Sequence, residues 1–598
     1  MTLTAVDWTV VAAFFAINVG VGIYYARRGG KSLNEFFLSG RSVPWWLAGI
    51  SMVATTFAAD TPLAVTGFVT KHGIAGNWVW WSSVMSGILT VFFFAKLWRR
   101  SGVLTDVEFI ELRYGGRAAA ALRFVRAIFQ GVLVNTIIMG WVNLAMAKIL
   151  ELTLHVPKLE ALGICLTVTT AYVMLSGLWG VLVTDVLQFA VKMTMAIVLA
   201  VVAVAAVGGI GSLETKLAAI DAAHHAGAGG SLLAFFPTSN AAWLPLLTFV
   251  TYIAVQWWAS SYPGAEPGGG GYIAQRIFSA RSETDSLVAT LLFNVAHYAL
   301  RPWPWILVAL AALVLYPHGV AGSDGKIDPE LGYIQTMIDH LPAALRGLMI
   351  AGFVAAYMST IGTHLNLGAS YLTNDIYRRF LRPSASDGHY VAVSRIATVV
   401  VMGLAMAGAF TMNSVGDAWI YLFNLTAGVG LVMILRWYWW RVNAWSEISA
   451  LACSALVSNA LLVFKVFKGD NATAQTLLVT VPITTLVWIV VTYLTKPESE
   501  ATLERFYQRV RPHPAGWRPI ARRSTVPPGE PLGVNILEWF AGCGLVYGAL
   551  FGIGKFIFGD LVQGFAYASL AILCAGYIAY NVNRARRFAR PEEAAAAR

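Results

Sequence analysis

Apolar runs of about 20 residues recur along almost the whole chain, and their spacing constrains the fold more than any other feature. Twenty helical residues rise about 30 Å, the depth of a bilayer's hydrocarbon core. About fifteen such segments are legible, near 6–26, 43–70, 74–98, 120–150, 157–177, 180–208, 242–262, 285–316, 342–370, 388–412, 416–438, 443–467, 471–495, 534–556 and 560–582. Within a bilayer the backbone must satisfy its own hydrogen bonds, which leaves helices as the reading for runs of this length. Of the 598 residues, 57% are hydrophobic and 12% charged, whereas soluble domains carry about 25% charged residues. The expectation is an all-α integral membrane protein with about 15 transmembrane helices.

The first segment has no basic stretch before it and no small-residue cleavage site after it, so it reads as a span and not a signal peptide. Placing the N-terminus outside puts most of the 42 Lys and Arg residues in cytoplasmic loops, in clusters such as Arg27/Arg28, Arg99/Arg100, Arg378/Arg379, Arg522/Arg523 and Arg584/Arg586/Arg587. That is the positive-inside asymmetry of a multi-pass protein of the cell inner (plasma) membrane with a cytoplasmic C-terminus. The net charge of +11 therefore reports topology in a lipid bilayer, and no nucleic-acid partner is expected. The four cysteines, Cys165, Cys453, Cys543 and Cys574, sit singly in apolar segments and read as buried thiols. The long polar segments, 209–241, 317–341 and 497–533, are too short for an enzyme domain. His224 and His225 lack further ligands nearby and read as solvated loop residues. No nucleophile–base or metal-ligand set is visible, so an enzyme is not expected.

Two apolar segments are interrupted. In "MVATTFAADTPLAV" (52–65) Pro62 removes a helix donor, and Asp60 places a carboxylate at bilayer depth, which costs about 2.5–3.5 kcal/mol on insertion scales. In "QWWASSYPGAEPGGGGYIAQR" (256–276) Pro263, Pro267 and the run Gly268–Gly271 cannot continue a regular helix. An ordinary cytoplasmic loop is the plainer reading of the second. The interruptions fall five spans apart, and paired broken segments in corresponding halves point to a transporter built from inverted repeats. The expected organisation is an extra helix and loop (1–42), a first five-helix repeat (43–240), a second inverted repeat (241–440) and accessory helices with a basic tail (441–598).

The ninth segment carries a polar stripe. Ser359, Thr363, Asn366 and Ser370 fall within about 60° of one another on a helix, flanked by Ala356 and Thr360. Such hydroxyls often bond back to their own helix, but six small or polar residues on one face suit a hard cation. Asp185, in "WGVLVTDVLQFAVKM", opens the sixth segment either as a functional carboxylate or as an interfacial cap. Arg301 shares a face with Asn294 and His297, and reads as a ligand clamp or as a structural arginine on backbone carbonyls.

The stretches "EFFLSGRSVPWWLAGISMVATTFAAD" (35–60), "TDVEFIELRYG" (105–115), "WGVLVTDVLQ" (179–188), "GYIAQRIFSARS" (271–282) and "MSTIGTHLNLGASYLTNDIYRRF" (358–380) resemble the sodium:solute symporter family, which includes sodium-coupled sugar, proline and sialic acid transporters. They follow the family's order from residue 35 to about 445, while the last four spans match only as hydrophobic segments. The resemblance implies a leucine-transporter-type 5+5 inverted-repeat core and symport of a small-molecule solute with Na+, the coupling ion, without an organic cofactor. Carried over by motif, the main sodium site takes backbone carbonyls of Ala54 and Phe57 and oxygens of Ala356, Ser359 and Thr360. Asp185 and Thr363 match positions linked to a second sodium site or to coupling, although Gly362 and Thr363 depart from the serine-rich pattern there.

Substrate-binding positions carried over in the same way are Thr61, Trp80 or Trp81, Ser83, Gln256, Trp257 and Arg301. Asp60 joins them, either lining the cavity or capping the second half-helix. The family's sugar transporters carry a glutamine near Thr61, a glutamate near Trp80 and an asparagine near Gln256, and this chain differs at all three. A sugar or sugar-like solute is the first expectation, because paired tryptophans offer flat faces to a ring. Arg301 as a carboxylate clamp would favour an amino-acid or carboxylate importer instead. A transporter-like membrane sensor is the rival from another class.

Overall fold

Nearly every apolar run is helical in the computed structural model, which describes residues 4–587 apart from 30–31, 225–230, 238–243, 323–324, 527–528 and 530. The first half comprises α1 (Ala5–Gly29), α2 (Trp45–Thr56), α3 (Asp60–His72), α4 (Ile74–Ser101), α5 (Gly116–Leu154) and α6 (Lys158–Ala206). The second comprises α7 (Leu246–Ala259), α8 (Gly271–Ser279), α9 (Glu283–Leu315), α10 (Leu345–Leu381), α11 (Asp387–Phe410), α12 (Val415–Leu425) and α13 (Gly430–Tyr438). Four further long helices follow, α14 (Ala444–Val463), α15 (Ala472–Leu494), α16 (Leu532–Ile557) and α17 (Leu561–Arg587).

Among the described residues ten helices are long and apolar enough to cross a bilayer, or twelve if each of two bent pairs is one span. The described residues therefore do not confirm the expected count of about fifteen. One reason is α6, a single 49-residue helix that joins the expected spans 157–177 and 180–208. Gly177 and Gly180 mark the expected boundary, but a helical glycine costs only about 1 kcal/mol, and neither a proline nor a polar run stands between them. Two other segments, α1 and α7, offer only the shorter apolar stretches Ala5–Asn18 and Leu246–Ala259.

Both expected interruptions are present. The axes of α2 and α3 differ by 56° across the break at Phe57–Ala59. Pro62 is the third residue of α3, where its missing N–H would have had no helical partner anyway. Between α7 and α8 the chain from Ser260 to Gly270 is not helical, yet most of it is buried, so it is not a solvated cytoplasmic loop. It passes so close to its neighbours that a Cβ at Gly268 would stand 2.5 Å from the Met433 carbonyl oxygen, and one at Gly269 would stand 2.5 Å from Trp98 Nε1. Both glycines have positive φ, 79° and 73°. A third bend, 50° between α12 and α13, was not legible in the sequence; Gly428 turns it with a φ of 87°.

The two broken helices are joined end to end by backbone. Val43, before α2, donates to Ser279 O at 3.0 Å and accepts from Arg281 N at 3.0 Å. Around them α6 packs on α1, α2, α9 and α10, and α5 packs on α10 and α11. The first break is thereby enclosed by α6, α8, α9 and α10.

Gly268→Ala should be severely destabilising, because it combines a left-handed backbone with a backbone clash. The expected loss is about 2 kcal/mol or more, seen as a clear fall in the melting temperature of the detergent-solubilised protein. An unchanged melting temperature would contradict the tight crossing at α13.

Candidate functional site

A helix that stops leaves its last carbonyls without intrahelical partners, and at bilayer depth water is not there to replace them. In α2 the last oxygens belong to Val53, which still accepts from Phe57 N at 2.9 Å, and to Ala54, Thr55 and Thr56, followed by Phe57 in the break. Each is met by a side chain. Arg301 donates Nη1 to Val53 O and Nη2 to Thr56 O, both at 3.1 Å. Lys192 donates Nζ to Ala54 O at 2.7 Å and to Phe57 O at 3.0 Å. Thr360 Oγ1 donates to Thr55 O at 2.6 Å. Lys192 is the functional residue that sequence reasoning missed. Its signal was present, a lysine inside an apolar segment and two helical turns after Asp185 on the same face of α6.

Asp185 lies deep in α6, fully buried, and does not cap a helix start. Its carboxylate accepts from Ser51 Oγ at 2.5 Å and from Ser359 Oγ at 2.6 Å, which ties α6 to α2 and α10. Arg276 of α8 donates to Thr363 Oγ1 at 2.7 Å and to Ser51 Oγ at 3.3 Å. Thr363 Oγ1 also lies 3.1 Å from Thr55 Oγ1. The polar stripe of α10 thus faces the first break over much of its length. Asn366 continues it by accepting from Gln275 Nε2 at 2.8 Å, whereas Ser370 bonds back to Leu367 O at 2.7 Å. Ala356 lies one turn before Thr360, fully enclosed and without a polar side chain.

A cavity of about 30 Å³ separates the two breaks, room for water but not for a sugar ring. Asp60 and Thr61 line it from the first break, Tyr262 and Pro263 from the second, and His364 and Trp419 close its sides. Asp60 makes no capping bond to α3; its Oδ2 accepts from Trp419 Nε1 at 3.2 Å, and its Oδ1 is buried without a hydrogen-bond partner. A second cavity of about 780 Å³ opens further along α5, beside Leu144 and Lys148. There Lys148 Nζ bridges Asp328 at 2.6 Å and Glu330 at 2.7 Å.

The other expected substrate positions do not line the small cavity. Trp80 stacks on Tyr298 with centroids 5.7 Å apart, and Trp81 packs edge-on against Phe551. Ser83 is buried in the next turn. Gln256 donates to Val79 O at 2.6 Å, and Trp257 stacks on Trp539 at 5.6 Å. Arg301 is fully engaged with the carbonyls of the break and with His297, and lies over the rings of Phe57 and Trp305. A π-helical stretch, Ala296–Leu300, followed by Pro302 aims it there. His225 and the side chains of His224 and Cys165 fall outside the described residues.

The sequence profile described as "Sodium:solute symporter family" matches residues 36–456. A sodium/glucose cotransporter of Vibrio parahaemolyticus is 26% identical over 475 residues, 76% of this chain and 84% of the relative. A sodium/mannose cotransporter of Bos taurus is 26% identical over 502 residues, 76% of this chain and 79% of the relative. Among solved structures, a Na+-coupled sialic acid symporter in a substrate-bound, outward-open state superposes with a TM-score of 0.65 at 18% identity, covering 83% of this chain and 99% of the other. The likeness of fold agrees with a leucine-transporter-type inverted-repeat architecture.

Arg301→Gln should remove the charged donor from the Val53 and Thr56 carbonyls, leaving Val53 O only Phe57 N at 2.9 Å and Thr56 O only Thr61 Oγ1 at 3.3 Å. Losing two buried hydrogen bonds from a charged donor costs about 2 kcal/mol or more, so the melting temperature in detergent should fall even without any ligand. A variant as stable as the parent would show that the Phe57 N and Thr61 Oγ1 bonds suffice and that Arg301 does not hold the break.

Proposed function

Since this chain belongs to the sodium:solute symporter family, we propose that it imports a sugar or sugar-like solute together with sodium by alternating access. The observation that carries the reading is the convergence of freed α2 carbonyls and α10 hydroxyls beside a buried carboxylate. Sodium's position is assigned to the carbonyls of Ala54 and Phe57 with oxygens of Ala356, Ser359 and Thr360; Asp185 and Thr363 form the adjoining coupling position. Carbonyl and hydroxyl oxygens are the ligands a small hard cation prefers. The sodium/glucose and sodium/mannose relatives support a sugar-like solute.

The mechanism follows from how the breaks are held. A cation on the α2 carbonyls draws the break toward α10. This settles Thr55, Thr56, Asp60 and Thr61 around the cavity where the solute binds. The unpartnered Asp60 Oδ1 is an acceptor waiting for a hydroxyl donor, and Tyr262, Tyr272 and Trp419 supply aromatic faces. The present cavity of about 30 Å³ corresponds to a closed centre. Opening toward the 780 Å³ space would admit solute, and closing there while opening opposite would release it. Each ligand must raise the other's affinity by the same factor. In this scheme the bundle rocks against its scaffold within the core of two repeats, 43–240 and 241–440, in a plasma membrane with the N-terminus outside.

Proteoliposomes test this reading. Under an inward sodium gradient they should accumulate a member of a sugar panel above its equilibrium level, and should not do so in choline. Ser359→Ala with Thr360→Ala should raise the sodium concentration for half-maximal uptake at least tenfold. Unchanged sodium dependence would refute the ion assignment, and accumulation only of amino acids or carboxylates would refute the solute class.

A further inference from the structure

The cation position just assigned already has a positive charge on it. Lys192 Nζ lies on the Ala54 and Phe57 carbonyl oxygens at 2.7 and 3.0 Å, the two backbone ligands that the sodium reading needs. We propose that the Lys192 ammonium is a tethered occupant of the coupling-cation position, so that sodium reaches these carbonyls only by displacing it. The inference rests on the proposed sodium site and adds to it a resident competitor.

Three observations carry it. Lys192 is buried inside the bundle, 3% exposed, and these two carbonyls are its hydrogen-bond acceptors. A lysine placed at bilayer depth for packing alone would need no such aim. Next, sodium coordinates carbonyl oxygens more closely than an N–H donor does, so an ion on both oxygens would lie against Nζ, and two like charges in a poorly solvated site repel strongly. Finally, the charge around the break is already in surplus. Lys192, Arg276 and Arg301 stand against the carboxylates of Asp185 and Asp60, all of them buried. An additional sodium would deepen that imbalance unless the ammonium moved away.

The tether also says where the ammonium goes. Asp185 lies seven residues earlier on the same helix face and acts on Lys192 electrostatically, with Arg301 opposing from α9. A displaced Lys192 can swing toward the Asp185 carboxylate, which Ser51 and Ser359 hold in place. While the ammonium is seated, it bonds α6 to the break. The closed centre is then held without any bound ion.

Binding of radioactive sodium alone to the purified full-length protein in detergent, at one fixed pH, tests the displacement. Lys192→Met removes the charge and keeps the bulk, and it should bind sodium at least tenfold more tightly than the parent. Lys192→Arg keeps a charge on the carbonyls and should bind no better than the parent. If Lys192→Met does not fold, Lys192→Gln serves the same comparison. Adding Ser359→Ala to Lys192→Met should abolish the gain, which places it at this site. Neutral variants that bind sodium no better than the parent would overturn the proposal. Solute uptake tells the two readings apart. If the parent ignores a sodium gradient but Lys192→Met acquires sodium binding, the tethered cation stands and sodium drive in the parent falls. Sodium binding that is strong in the parent and unchanged by Lys192→Met leaves sodium drive standing and removes the competitor.

Discussion

The centre of this protein depends on the carbonyl oxygens that α2 releases where it ends. A helix end in water is solvated at little cost, but here it lies at bilayer depth, where an orphaned carbonyl costs several kcal/mol. Five successive oxygens, Val53 to Phe57, are met by Arg301, Lys192 and Thr360. These donors come from α9, α6 and α10, so satisfying one strand of backbone also fixes three helices around it. The break is thus the place where the bundle is tied together.

Charge placement follows from the same requirement. Arginine's planar fork spans Val53 O and Thr56 O, a task that suits guanidinium better than ammonium. Lysine, a compact point charge, takes the two carbonyls closest to where a small cation would sit. Asp185 balances part of this charge and gains its own donors from Ser51 and Ser359. The small cavity proposed for the solute borrows their rigidity, since Thr55, Thr56 and Thr360 belong to both. An ion or an ammonium on the carbonyls therefore acts directly on the walls of that cavity.

Much of this was legible in the sequence because it depended on local patterns. Pro62, Asp60 and the glycine run announced the two breaks, and the period of the α10 stripe placed Ser359, Thr360 and Thr363 on the face that meets α2. What was not legible depended on partners far apart in the chain. Arg301 could be read as clamp or scaffold until its acceptors on α2 were visible. Asp185 could be read as a cap because the expected spans 157–177 and 180–208 place a boundary just before it, which α6 runs straight through. Trp80, Trp81, Gln256 and Trp257 had the right chemistry for a ring-shaped solute, but their indoles and amide are used in packing α4 and α7 against each other and on α9 and α16. Lys192 was visible as an unusual intramembrane charge, yet only the fold shows that its reach ends on the Ala54 and Phe57 carbonyls proposed for sodium.

The central claim is that the α2 carbonyls hold a positive charge, supplied by Lys192 until sodium replaces it. An experimental structure of the protein in sodium-free choline buffer, at a resolution that shows the Lys192 side chain, tests this most directly. Continuous side-chain density running from α6 to the Ala54 and Phe57 oxygens is the expected result. A Lys192 side chain directed elsewhere, with those oxygens facing water, would contradict it.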